Sequence, residues 1–442
     1  MLRIPFKQNL VLVVFLITCV NIYAWENQYT HPAITQQATP LSVLDSYIRT
    51  QMGMDNGLSY SLYWNFPSDI EERVKKGGAN PNQKTRTILE WIRTGSDIED
   101  MDGRTFPWRP RHHFYDPIRN AGLDNHTDHP DWDAPGLSPW LPLGQSALSW
   151  TILGTALQEP FTNNEKWANA RSMFYDSLKS ASKNTRDAQL AEALLKLGCV
   201  LHMLEDMGVP AHTRNDFLFG HYRSVYKWDW GNPLETWAER QVDATDNNNI
   251  PSGWLTGWTS QPKAFSKLSN YWDTGLYTGQ YVGATPSSTW GLAEQTNYQF
   301  LSTSTVFGCE GTLYQFPQPA ESNTILISEL HQVSGKYFRY FQGYGVQHLA
   351  RQTYSSHKSY SYGSSVIALA KKTITPDDDA NVYQDYVRAT VPRTIDYATG
   401  LINYFFRGKL SVTASCTCSE CSPIEIYITN QSVNTSVNQT LK

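Results

Sequence analysis

Residues 190–212 read LAEALLKLGCVLHMLEDMGVPAH, and this stretch carries the strongest indication of the fold. Five leucines recur at steps of four and three residues, the spacing of one buried helix face: Leu190, Leu194, Leu197, Leu201 and Leu204. Pro210 is expected to end this helix, because proline cannot continue the backbone hydrogen bonding. The stretch therefore predicts a helix that packs against a core.

Other segments show the same periodicity. The clearest lies near 385–406, where apolar residues again step by four and three and Pro392 interrupts the pattern. Weaker helical patterns cover 41–52, 84–94, 165–182, 232–243 and 290–302. Segments 102–145 and 245–290 are rich in Pro, Gly, Asn and Trp and are predicted to be long loops. We therefore predict an all-α fold, a multi-helix domain with long loops.

Two stretches depart from the helical pattern. Residues 326–370 alternate more strongly and contain many tyrosines, which is compatible with a small strand-containing insertion. After Gly408, the segments KLSVTAS and IEIYIT predict two strands of a short β-like tail. The predicted order is a signal peptide at 1–24, a helical domain at 25–408 and the tail at 409–442, which is interpreted as the start of a truncated module.

The first 24 residues have the composition of a secretory signal. Arg3 and Lys7 precede the apolar run NLVLVVFLITCV at 9–20, and Ala24 is a suitable residue before a cleavage site. A lipoprotein signal ending at Cys19 is an alternative, although the threonine before it is a poor fit. No later apolar run approaches the roughly 18 residues of a membrane helix. We expect a secreted or periplasmic protein without a transmembrane segment.

Composition excludes several classes of protein. Hydrophobic residues make up 40% of the chain and aromatic residues 13%, which is enough for a packed core and argues against a disordered chain. The net charge of −5 offers no broad basic surface for nucleic acid.

Near the C-terminus, the run SCTCSECS favours a local disulfide or a partly ordered segment over a metal site, because no fourth ligand is nearby.

The same stretch that predicts the long helix also carries chemistry. His202 and Asp206 are four residues apart, so they share one helix face, and His212 follows Pro210 by two residues. Imidazole and carboxylate groups are ligands that suit zinc. The pair alone is more typical of a helix surface, and the added histidine strengthens the metal interpretation. Four further motifs lie elsewhere: WENQYTHPAIT at 25–35, GSDIEDMD at 95–102, HHFYDP at 112–117 and NPLETWAER at 232–240.

In this order the motifs resemble those of the zinc-dependent phospholipase C family. Its members are secreted bacterial enzymes that include the clostridial alpha-toxins, and their architecture is shared with the single-strand-specific zinc nucleases. The resemblance spans residue 25 to about residue 243, and VPRTIDYATGLINYFFRGKL at 391–410 looks like the closing helix of longer members. It implies an all-helical protein that holds up to three zinc ions in a cleft.

The resemblance also implies which residues bind zinc. Trp25 would bind one ion through its amino nitrogen and carbonyl oxygen, together with His31. The amino group becomes available only after the signal peptide is removed. Asp206 would bridge this ion to a second one, so cleavage and assembly of the site would be coupled.

The second and third ions have separate ligand sets. By resemblance, Asp100, His113, His202 and Asp206 bind the second ion, and Asp100 is also the candidate general base.

For the third ion, His212 and Glu235 match family ligands, but the family places a histidine where this chain has Gly231. His221 is our candidate substitute, Asp229 is its rival, and the alternative is that the third site is incomplete.

The function implied is hydrolysis of phospholipids by a metal-activated water at a membrane surface. The products would be diacylglycerol and a phosphorylated head group. HFYDP and the context of His31 favour this substrate class. One alternative is a zinc nuclease or other phosphoesterase on the same scaffold, and another is an inactive zinc-stabilised secreted protein. We expect a monomer, and the sequence does not indicate the head-group preference.

Overall fold

The computed structural model describes most of the chain. The described residues are 29–101, 109–123, 144–154, 163–216, 232–245, 249–302, 305, 307, 316–332, 335–354, 359–361, 379–408, 410–416 and 424–430. The predicted signal peptide at 1–24 and most of the cysteine-rich run lie outside them, so these two predictions stay untested.

Helices form most of the regular structure in the described residues. They are α1 (Thr30–Leu41), α2 (Leu44–Gln51), α3 (Ser68–Lys76), α4 (Ile88–Ile98), α5 (Ala147–Ile152), α6 (Trp167–Lys179), α7 (Lys183–Glu205), α8 (Pro210–Thr213), α9 (Pro233–Asp243), α10 (Leu292–Gln299) and α11 (Ala380–Phe405). Every helical segment predicted from periodicity corresponds to one of these helices.

The long helix α7 crosses the interior of the molecule. Every residue from Ala193 to Glu205 is buried, so the leucine face is only one part of a helix that is covered on all sides. It packs against α4 and α6 and ends where Asp206 begins a 3₁₀ turn. Pro210 then begins the short helix α8, in the first helical position, where a missing backbone donor costs nothing.

Strands occur in three places among the described residues. They are β1 (Ser61–Tyr63), β2 (Thr85–Thr87), β3 (Ile325–His331), β4 (Lys336–Gly343), β5 (Val346–Tyr354), β6 (Ser359–Ser361), β7 (Leu410–Cys416) and β8 (Ile424–Asn430). β1 pairs with β2, β3 to β6 form a four-stranded antiparallel sheet, and β7 pairs with β8. In the larger sheet Ile327 is opposite Tyr340, and Phe341 is opposite Ala350.

The prediction of an all-α fold is therefore wrong, although helices are in the majority. The four-stranded sheet forms because aromatic and β-branched residues, which favour strands, recur along 325–354, and the sheet packs on the helical core. Tyr340 and Phe341 of β4 are buried, as are Val346 and Leu349 of β5. The hydroxyl of Tyr386 in α11 donates to the carbonyl oxygen of Leu349 at 2.9 Å, which joins sheet and helix.

The predicted loop at 245–290 contains only short 3₁₀ turns in its described part, at Ser252–Trp254 and Leu268–Tyr271. Asp396 of α11 holds this loop, because its carboxylate accepts hydrogen bonds from Trp258, Ser260 and the backbone of Gln261. Across the described part of the chain, no helix combines the length and hydropathy that crossing a membrane requires.

Candidate metal centre

The site is built on a close crossing of α4 and α7. A Cβ atom on Gly95 would lie 1.9 Å from the carbonyl oxygen of Leu195, and one on Gly198 would lie 2.0 Å from that of Ile92. Only glycine leaves room for backbones at this distance. The thiol of Cys199 donates to the carbonyl oxygen of Gly95 at 3.3 Å. The crossing brings together the carboxyl-terminal ends of both helices, where the candidate ligands lie.

Asp206 occupies the centre of the site and is fully buried. Its Oδ1 lies 3.3 Å from His31 Nε2 and 4.0 Å from His212 Nε2. Its Oδ2 lies 2.8 Å from His113 Nδ1 and 3.7 Å from His202 Nε2. Four imidazole rings from separate parts of the chain therefore converge on one carboxylate.

In three of these rings, one nitrogen is hydrogen-bonded to a neighbouring group and the other nitrogen faces Asp206. His202 Nδ1 lies 2.7 Å from the carbonyl oxygen of Ser96, and His212 Nδ1 lies 2.8 Å from that of His113. A carbonyl oxygen only accepts, so the hydrogen of each ring is on Nδ1 and the neutral ring has its lone pair on Nε2. His31 follows the same arrangement through a carboxylate instead of a carbonyl group. Lone pairs aimed at a carboxylate repel it unless a cation lies between them.

Asp100 and His113 complete the part of the cluster nearest α4. Asp100 Oδ1 lies 3.0 Å from His113 Nδ1, and its Oδ2 lies 3.4 Å from His202 Nε2. His113 directly follows a 3₁₀ turn at Pro110–His112. The backbone of the same segment is tied to α8, because the amide of Tyr115 donates to the carbonyl oxygen of His212 at 2.9 Å.

Glu235, in the first turn of α9, faces His212 on the other side of the cluster. Its Oε1 lies 3.2 Å from His212 Nε2, and Glu235 is 1% exposed. His212 thus lies between the carboxylates of Glu235 and Asp206. This places the two predicted ligands of the third ion next to each other, with His212 also 4.0 Å from Asp206.

The charges of the cluster stabilise one another strongly. Burial lowers the pKa of His31, but the neighbouring carboxylates of Asp206 and Glu205 outweigh this and raise its pKa to about 9. Burial likewise opposes protonation of His113, yet the charges of Asp100 and Asp206 raise its pKa to about 10.

The pKa values of Asp100 and Asp206 shift in the opposite direction, downward. Burial would raise their pKa values, but the neighbouring imidazole groups hold both well below the usual range. The site therefore favours positive charge beside its carboxylates, supplied either by protons or by a metal ion.

The donor atoms fit a metal ion. Within the described residues, several fully buried atoms have no hydrogen-bond partner: His31 Nε2, His202 Nε2, both ring nitrogens of His113 and both carboxylate oxygens of Asp206. Buried polar atoms without partners need an explanation. Two groups of three, His31 with His202 and Asp206, and Asp100 with His113 and His202, have ligand atoms within 4.8 Å of one another. Nitrogen and carboxylate donors in such groups suit zinc.

The structure brings together seven of the nine predicted ligands. They are His31, Asp100, His113, His202, Asp206, His212 and Glu235. Trp25 and His221 lie outside the described residues, as do Gly231 and Asp229, so the substitute ligand for the third ion stays a prediction.

A buried ring of charges supports the end of α4. Arg73 lies 3.1 Å from Glu165 and 3.7 Å from Glu99, and Arg109 lies 3.1 Å from Glu165 and 2.5 Å from Glu99. Each charge in this ring therefore has two partners of opposite sign. Because Glu99 directly precedes Asp100, the ring fixes the backbone from which Asp100 enters the cluster.

Sequence reasoning missed Glu205, which precedes Asp206 and contacts His31. A carboxylate at the end of an apolar helix, three residues after His202, was the available signal. His112, the residue before His113, has its ring nitrogen Nδ1 3.3 Å from the carbonyl oxygen of Gln145. Its ring stacks on Trp150 with centroids 4.0 Å apart, and burial lowers its pKa well below the usual value.

Comparison of this chain with models of protein families, with curated proteins and with solved structures gives no match. The function of the site must therefore be inferred from its chemistry.

Proposed function

We propose that this chain is a secreted zinc-dependent phosphodiesterase that hydrolyses phospholipids to diacylglycerol and a phosphorylated head group. The observation that carries the proposal is the convergence of four imidazole rings on Asp206 in a fully buried cluster. The ordered motifs that resemble the zinc-dependent phospholipase C family support the choice of a phosphodiester as substrate.

Each candidate ligand has a defined place in this proposal. His31 and Asp206 would hold one ion, while Asp100, His113 and His202 would hold a second one together with Asp206. His212 and Glu235 would contribute to a third. A bound zinc ion lowers the pKa of bound water toward about 7 and polarises phosphoryl oxygens.

Asp100 is the candidate residue that orients the attacking water. Burial raises its pKa, but the charges of His113 and His202 outweigh this and hold it below its usual range. In the zinc-bound site, Asp100 would be both a ligand and the general base that orients the attacking water.

An uncharged loop next to the cluster supports a lipid substrate. Residues 274–293 contain no charged side chain, and Leu276 and Val282 are 60% and 58% exposed. The loop packs beside the segment that carries His113, because the hydroxyl of Tyr115 donates to Asp273. Exposed apolar side chains on a loop that adjoins the segment of His113 support the choice of a substrate held in a lipid surface.

The test uses the secreted protein, shown to begin at Trp25. Zinc per chain is measured by elemental mass spectrometry. Hydrolysis is then measured on phosphatidylcholine vesicles and on single-stranded DNA. We expect close to three zinc ions and release of a phosphorylated head group. EDTA should remove this activity and added zinc should restore it, because the donor groups are left without a cation.

Each other outcome contradicts a different part of the proposal. Cleavage of DNA without hydrolysis of lipid would identify a nuclease. Bound zinc without turnover on either substrate would indicate a zinc-stabilised protein without this activity. A folded protein that holds no zinc would exclude the metal centre itself.

A further inference from the structure

Glu205 contacts the cluster through the Nδ1 atom of His31. It is the last residue of α7 and is fully buried. Its Oε2 lies 2.8 Å from His31 Nδ1 and accepts a hydrogen bond from the hydroxyl of Ser96 at 3.3 Å. Its Oε1 accepts a hydrogen bond from the hydroxyl of Thr35 at 2.7 Å. Glu205 therefore joins α7 to both α1 and α4.

Both oxygens of Glu205 are engaged with the described partners His31, Thr35 and Ser96, and the contact with His31 is made through Nδ1. The nitrogen that faces Asp206 is His31 Nε2, at 3.3 Å. A carboxylate oxygen that accepts from His31 Nδ1 places the ring hydrogen there and leaves the lone pair on Nε2.

The orientation of the His31 ring is defined by two contacts. The ring stacks on that of His202, with centroids 3.8 Å apart and planes inclined by 17°. Stacking fixes the plane of the ring, and the hydrogen bond to Glu205 fixes the rotation within that plane. Together they direct Nε2 at the centre of the cluster.

We infer that Glu205 is a positioning residue, which holds His31 in the tautomer and orientation that binds a metal ion. This inference rests on the metal centre of the proposed function. His202 and His212 are held by neutral backbone carbonyl groups, whereas His31 is held by a carboxylate. A carboxylate partner makes the opposite ring nitrogen a stronger donor. Glu205 thus strengthens one metal position of the cluster, the one that contains His31.

The test compares Glu205→Gln and Glu205→Ala with the wild-type chain. Glutamine keeps an oxygen that accepts from His31 but removes the charge. The same oxygen can still accept from the hydroxyl of Ser96, and the amide group can donate to the hydroxyl of Thr35. Alanine removes every contact. Zinc affinity is measured by competition with a chromogenic chelator, and the visible spectrum of the cobalt(II)-loaded protein reports the ligand geometry.

We expect Glu205→Gln to weaken the binding of one ion by about 10- to 100-fold and to leave the other ions bound. Glu205→Ala should weaken the same ion further. The part of the cobalt spectrum that arises from this ion should change in both variants. A purely structural role for Glu205 would not select a single ion.

Glu294→Gln is the matched control. Glu294 is also fully buried, and its carboxylate accepts hydrogen bonds from Thr274, Leu276, Tyr277 and Gly291, outside the cluster. This variant should lower the melting temperature of the metal-free protein without changing zinc affinity or the cobalt spectrum.

The outcomes separate this inference from the proposed function. If the wild-type chain binds no metal, the proposed function fails. If the wild-type chain binds zinc and Glu205→Gln lowers only the melting temperature, as the control does, the positioning role of Glu205 is overturned while the metal centre stands.

Discussion

Two clusters of histidine and carboxylate groups differ in their role in this molecule. In the first, four rings surround Asp206 between the helices. In the second, His348 of β5 lies between Glu329 of β3 and Asp385 of α11. His348 Nε2 is 3.0 Å from Glu329, and Nδ1 is 2.9 Å from Asp385. The pKa of His31 in the first cluster and the pKa of His348 in the second are both raised, so charge alone does not distinguish the clusters.

Convergence and burial distinguish the two clusters. Both ring nitrogens of His348 are hydrogen-bonded to different carboxylates, and Glu329 is 32% exposed. Around Asp206, by contrast, several rings direct a buried nitrogen at the same oxygen atoms. His348 thus joins β3 to α11. Histidines that converge on one buried carboxylate bring several ring nitrogens together, and such a group provides a place for a cation.

The largest expected effect tests the first cluster directly. Asp206→Asn removes the charge on which the four rings converge. Zinc content should fall, and phosphodiesterase activity should drop by more than about 100-fold, since the loss exceeds that of a supporting partner. Elemental mass spectrometry and vesicle hydrolysis measure both. Asp385→Asn, in the second cluster, should retain its zinc and its activity. Equal losses in the two variants would remove the distinction between the clusters.

The next effect concerns the helix crossing that supports only the first cluster. Gly95→Ala places a methyl group against the backbone of Leu195, so the helices must separate. We expect the free energy of unfolding to fall by about 1–3 kcal/mol in urea titrations. Gly253→Ala is the control, because no atom lies within 4 Å of its added Cβ, and it should stay within about 0.5 kcal/mol. Unchanged stability in Gly95→Ala would mean that α4 and α7 can separate at this crossing without loss of stability.

The smallest effect concerns the second cluster and depends on pH. Burial lowers the pKa of His348, but its hydrogen bonds to Asp385 and Glu329 outweigh this and raise it. The stabilisation is therefore complete below the unfolded pKa of about 6.5 and is lost as the pH rises through the higher folded value. We expect a contribution of about 0.5–1 kcal/mol.

The measurement compares the melting temperatures of the wild-type chain and His348→Gln at several pH values. The difference should be largest near pH 6 and should shrink toward alkaline pH. A difference that is independent of pH would show that His348 acts by packing, for example against Tyr340, and not by its charge.

The helical part of the fold could be predicted because its signals are local. The leucine spacing in 190–204 and the proline at 210 locate α7 and its end within a few residues. The four-stranded sheet was underestimated because alternation in 325–354 is short and its tyrosines suit either structure. Whether such a segment pairs as strands depends on a partner surface, here α11, which lies far along the chain.

The sequence by itself determined which residue types are available to bind a metal and that two of them, His202 and Asp206, share a helix end. Spacing along a helix is a local property, so it can be read without knowing the fold. The family resemblance predicted that His31 and His113 share Asp206, whereas only the tertiary structure decided the distances at which these groups meet, and that Glu205 holds His31. These contacts join residues far apart in the chain, and they depend on the glycine crossing of α4 and α7, whose geometry no single segment contains.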